Sequence, residues 1–227
     1  WWTVAAALPR APWGVAASSS SSFSSSATSD GSCTDDEKDP ENVLRQFIQQ
    51  HKPDCRINFK IQGWRWHTMS LIREASRLAS ALSSWSSSSS SSSEQQATTA
   101  KVDFQTVADY VVQFNMRGLH RIQDDLFFPW VRQEIQTRCL DPAVAAAFSA
   151  VMTQLERQQT ELERLGKQLQ TQLSRNTIDQ ASRTTATLAA TAQGMLKTED
   201  ALLVPIVAHF VPVREQVSFN NKVIRSL

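Results

Sequence analysis

Glycine is scarce in this chain of 227 residues. There are 6, where an average usage of about 7% would put roughly 16. Tight hairpin turns draw on glycine, so the shortage counts against an all-β fold. Cysteine is thin as well: Cys33, Cys55 and Cys139 form no C-x-x-C pair, which excludes zinc-knuckle spacing and a disulfide framework. No run of about 18 apolar residues occurs, so no segment is expected to span a membrane. Excess charge of one sign is also missing, since 23 Lys and Arg against 22 Asp and Glu leave +1. That is too little for a strongly electrostatic nucleic-acid binder. With 4 histidines in all, any metal site must be built from few of them. No Gly-rich phosphate loop and no G-x-S-x-G elbow is present, and no catalytic base can be identified, so nothing points to an enzyme.

Two low-complexity segments are there instead. The chain begins at Trp1, and residues 1–29 are rich in Ala and Ser, with Arg10 the one charge before Asp30. This composition suits the tail of a mitochondrial or plastid transit peptide, which would imply an organellar location, and equally a disordered leader. The leader is taken as 1–38 and the folded domain as 39–227. A second Ser-rich stretch starts at Ser83, is broken by Trp85, and continues through Glu94 and Thr99. It cannot bury enough apolar surface to offset its ordering entropy. The spacing predicts a flexible insertion loop over 83–100 inside the domain, because helical patterns flank it.

Five segments carry helical periodicity. Asp39 and Pro40 are a cap and first-turn proline for a short helix to about His51. Trp64, His67, Leu71, Ala75, Leu78 and Leu82 make one apolar stripe, and Val112, Met116, His120, Asp124, Phe127 and Val131 another, with a kink expected at Pro129. Asp141 and Pro142 open a helix striped by Phe148, Val151, Leu155, Gln159, Leu162, Leu165, Leu169 and Leu173. The fifth has Leu188, Ala192, Met195, Glu199, Leu202 and Ile206 in line before Pro212, after which a short closing helix is expected. The expectation is an all-α chain, an up-down four-helix bundle preceded by a short helix.

Polar residues interrupt each stripe near its middle: His67, then His120 with Asp124, then Gln159, then Glu199 beside Asp200. Each alone is also what a satisfied core residue looks like, but together they suggest a shared polar site, since buried polar groups must be paired or bind something. His120 and Asp124 at i, i+4 project from one helix face and could reach one ion, and imidazole plus carboxylate suits Fe, Mn or Zn. The chain also echoes itself. His120, Asp124, Asp125 and Pro129 parallel Met195, Glu199, Asp200 and Pro205, with one extra residue in the second copy.

On these residues the chain resembles the hemerythrin-like (HHE cation-binding) family over roughly 60–212. Trp66-His67 followed by Leu71 and Ile72 is similar to the family's first-helix histidine motif. His120, Asp124, Asp125, Phe127, Phe128 and Pro129 are similar to its H-x-x-x-E-[DE]-x-x-[LF]-F-P motif, with Asp for the usual Glu. The resemblance implies a four-helix bundle holding non-haem iron, with His67, His120, Asp124 and Asp200 or Glu199 as ligands. Gln159 and Met195 stand where the family has histidines. The implied role is iron or O2 handling or sensing, at a di-iron or single-iron centre. The alternative is a metal-free helical scaffold or interaction module. A ferritin-like di-iron oxidase is excluded by the lack of any Glu-x-x-His pair.

Overall fold

The computed structural model describes residues 39–88 and 103–226; the leader, and the insertion beyond Ser88, lie outside the described residues. What is described is helical, with no strand among the described residues. The elements are α1 (Pro40–His51), α2 (Cys55–Asn58), α3 (Trp66–Ser88), α4 (103–138), α5 (Pro142–Ser174), α6 (178–210) and α7 (Val213–Ser226). Two helix starts follow their cap residues. The Asp39 carboxylate accepts from Glu41 N–H at 3.2 Å, and Asp141 accepts from Ala143 N–H at 2.8 Å. Pro40 and Pro142 sit in the first turns, where a missing N–H leaves nothing unpaired.

The fourth and fifth stripes are buried as the spacing predicts: every named residue from Phe148 to Leu173 and from Leu188 to Ile206 is in the core. Two lines need correction. On α3 the buried interruption is Thr68, not His67, which is half-buried one position away. On α4 the buried line is Val111, Asn115, Leu119, Gln123, Phe127, Val131 and Ile135, one residue before the expected His120 and Asp124. Those positions are spaced by four. On a helix of 3.6 residues per turn such a line drifts by about 40° per step. α4 holds it on one face by winding two stretches, Tyr110–Met116 and Gln123–Phe127, as π-helix. Hydrogen bonds to i+5 put more residues in each turn there.

A third π stretch, Glu199–Leu203, lies in α6. The second and third each end just before a proline, Pro129 and Pro205, which sits in the first turn of the α-helix that resumes. Proline has no N–H to donate and its ring crowds the carbonyl four residues earlier. A widened turn at that point takes up the conflict, and both helices continue beyond it. The kink expected at Pro129 is thus expressed as a π turn.

α3 packs along α6, α6 along α5, and α1 lies along α5 and the end of α6. The main core runs from Leu44 through Leu155 and Ile206 to Phe219. A smaller cluster of Leu78, Leu82, Ala108, Leu169, Leu173 and Ala181 closes one end. The Ser-rich stretch does not leave the helix at Ser83: α3 runs to Ser88, with Trp85 edge-on to Phe104 and Ser87 bonding back to the Ser83 carbonyl at 3.0 Å. At the other end, Gln216 of α7 is fully buried. It accepts from Lys60 N–H at 2.7 Å and donates to the carbonyls of Asn58 and Val211, which ties the link between α2 and α3 to the closing helix.

Leu155 has no exposed surface, whereas Leu140 is 94% exposed. Leu155→Ala is expected to cost about 2–5 kcal/mol of unfolding free energy, and Leu140→Ser less than about 0.5 kcal/mol. Urea midpoints of the two variants check the difference.

Candidate functional site

Three polar side chains meet inside the core, one from each of α4, α5 and α6. Gln159 Nε2 donates to Gln123 Oε1 at 2.6 Å, and Gln123 Nε2 donates to Glu199 Oε1 at 2.8 Å. Gln123 and Glu199 have no exposed surface and Gln159 has 2%. Burial pushes the Glu199 carboxyl up to about 8, with the neighbouring Asp200 adding to it, while the Gln123 bond and Arg65 work against it.

The geometry revises the internal echo. Gln123 and Glu199 are each the first residue of a π turn, and each lies the same distance before its proline. Without any gap, Gln123 pairs with Glu199, Asp124 with Asp200, and Pro129 with Pro205. The extra residue disappears once the alignment is anchored on the π turns. The two equivalent residues also bond each other directly.

The expected ligands are distributed as follows. His67 lies against α4, its ring 6.3 Å from that of Phe114. It fits because residue 118 is glycine: a Cβ there would come within 2.6 Å of the imidazole. Burial lowers the pKa of His67. Asp200 forms an ion pair with Arg65 at 2.6 Å, both side chains being partly exposed. Met195 is packed in the apolar core. His120 and Asp124 do share a site, a groove of about 390 Å³ between α4 and α5 that Gln159 also lines. There His120 Nδ1 is 2.8 Å from Glu163 Oε1. A carboxylate can only accept, so Nδ1 carries the proton. The Nε2 of the same ring is buried with no partner, as is Gln159 Oε1. Asp124 is pushed up to about 6 by burial and by the carboxylates of Asp125, Glu156 and Glu163, against the pull of His120.

Gln123, Glu156 and Glu163 were not among the expected site residues. Gln123 carried a signal, the four-residue spacing from Val111 to Ile135, whereas Glu163 lies on a stretch that reads as a solvated face. Among the described residues no three His, Cys, Asp or Glu side chains are grouped so as to hold one ion. No single described helix is long and apolar enough to cross a membrane. In comparison with known proteins, no family model, curated protein or solved structure matches the chain.

Both raised carboxyls bind protons in the folded state that the unfolded chain releases. Glu199 therefore stabilises the fold fully below its usual 4.5, and that stability is lost as pH rises toward about 8. Asp124 acts in the same direction between 3.8 and about 6. Glu199→Gln keeps an oxygen for Gln123 and removes the ionisation. The variant should match the parent near pH 5, exceed it in stability at pH 8, and flatten the profile between. Urea unfolding across this pH range measures it, and an unchanged pH slope would refute the assignment.

Proposed function

We propose that α3, α4, α5 and α6 form a four-helix bundle of the hemerythrin-like kind whose interior site is occupied by the Gln159–Gln123–Glu199 chain instead of iron, and that the protein works as a metal-free helical scaffold or interaction module. The observation that carries this reading is the chain itself. Its members lie where stripes of three helices face each other, and two hydrogen bonds link them, with Gln159 Oε1 and Glu199 Oε2 left without a partner. Amides are poor iron ligands, and Met195 is a soft donor that suits iron badly. The dispersal of His67, Asp200 and Met195 to other contacts supports the same reading.

A second reading is favoured by one detail. His120 has its Nδ1 held by Glu163 and its Nε2 unpartnered, the orientation that a ligating histidine is given by its outer carboxylate. One iron on His120 and Asp124, with a role in iron or O2 handling, follows from it.

Iron loading separates the two. Protein expressed with added iron, desalted and measured by plasma emission, is expected to retain far less than one Fe, Mn or Zn per chain, with the same melting temperature with and without chelator. A ligand held only by the native state at a hundredfold its Kd would add about 2.7 kcal/mol. Stoichiometric metal, with a drop in melting temperature on chelation, would overturn the scaffold reading in favour of the iron site.

A further inference from the structure

We propose that the groove between α4 and α5 binds a small organic cation through its N–H donors, a primary ammonium group. The inference rests on the metal-free reading, because it uses Gln159 as a member of the core chain.

The groove presents a buried acceptor beside carboxylates. Gln159, 2% exposed, lines it; one N–H of its amide goes to Gln123, and its Oε1 is left buried and unpartnered. His120 also lines it, its Nδ1 held by Glu163 and its Nε2 buried without a partner. Asp124 adds a carboxylate one helical turn from His120. Leaving a buried acceptor unmet is costly, so a ligand that donates to it is favoured. An ammonium group brings three N–H donors and a positive charge, which suit the Gln159 oxygen and the Asp124 carboxylate together.

Charge selects the sign. Asp124, Glu156 and Glu163 line the groove against the single Arg132. Arg132 is bonded to Glu156 at 2.8 Å and Lys167 pairs with Glu163 at 3.9 Å, which leaves Asp124 as the lining carboxylate with no Lys or Arg beside it among the described residues. That balance disfavours an anion, and no three metal donors are grouped among the described residues. Size agrees: about 390 Å³ is the volume of a small-molecule pocket. Phe128 supplies an apolar wall for the carbon chain of an alkylammonium ion.

The same chemistry could come from a free amine or from a lysine side chain. The full chain, treated with chelator and with its metal content measured, is titrated calorimetrically with n-butylammonium chloride. Tetramethylammonium chloride, which has the charge but no N–H, is the control at equal ionic strength. A lysine-containing tripeptide with blocked ends is the third arm. The expected result is saturable one-site binding of butylammonium, with tetramethylammonium at least about tenfold weaker, as the loss of charge-assisted hydrogen bonds requires. Asp124→Asn and Gln159→Leu should each weaken binding about tenfold, and Glu163→Gln should also weaken it by removing a carboxylate from the groove. Tripeptide binding as tight as butylammonium assigns the site to a lysine of a partner, and weaker tripeptide binding to a free amine. No saturable binding to metal-free protein, equal binding of the two ammonium ions, or full affinity in Asp124→Asn would overturn the proposal while leaving the scaffold reading intact. Metal retained through chelation would instead overturn the scaffold reading.

Discussion

A carboxyl group with no exposed surface governs this core. An ionised carboxylate buried in an apolar core with nothing to bond would cost far more than the few kcal/mol by which proteins are stable. Glu199 meets that demand in two ways. It accepts a hydrogen bond from Gln123, and it shifts toward the neutral form, to about 8. The amide that serves it must in turn be satisfied, and Gln159 does so from a third helix. One polar side chain therefore commits residues on α4, α5 and α6 to a single register. A slip of one residue along any of them would carry a bonded group away from its partner and leave the others unpaired, a penalty of about 1–3 kcal/mol per group.

The π turns are what make that register available. An α-helix that buried His120 and Asp124, as a regular reading of the stripe requires, would turn Gln123 away from Glu199. Two π stretches in α4 hold a four-residue spacing on one face, and the buried line becomes Val111, Asn115, Leu119 and Gln123. His120 and Asp124 then face the groove against α5. Proline fixes where the widening falls, since Pro129 and Pro205 each follow a π turn that begins with the polar residue. The same short device, used in two helices, delivers Gln123 and Glu199 to each other.

Much of this was legible in the sequence. Low glycine and the 3.6-residue stripes gave an all-helical chain, and α5 and α6 buried every residue named for them, Gln159 and Glu199 included. Those two helices obey the regular period where their stripes run. α4 does not, and there the reading by regular period went astray by one position, as it did for Thr68 on α3. The period-four pattern was visible, but an irregular helix is a rare reading of it. The Ser-rich stretch misled in the other direction. Serine favours loops because its hydroxyl competes for backbone groups; in α3 those hydroxyls bond back to carbonyls within the helix while Trp85 packs on Phe104. The partner of His120 was not legible at all, because Glu163 lies 43 positions away on a face that composition alone describes as solvated.

The polarity of the groove follows from the polarity of the chain. Glu199 Oε1 accepts a hydrogen bond from Gln123, so the Gln123 amide is turned with its nitrogen toward α6 and its oxygen toward α5. That oxygen can only accept, so Gln159 must present its nitrogen to it, and the Gln159 oxygen is left over at the end of the chain. Each amide passes on the orientation imposed by the one before, because an amide has a donor end and an acceptor end. The sequence of donors and acceptors begun at one buried carboxyl thus ends as a bare acceptor beside His120 and Asp124. Glu163 holds the Nδ1 of His120 on the far side, and the Nε2 of that ring lies buried without a partner. A core built to satisfy one acid has turned a neighbouring surface groove into a site that asks for hydrogen-bond donors.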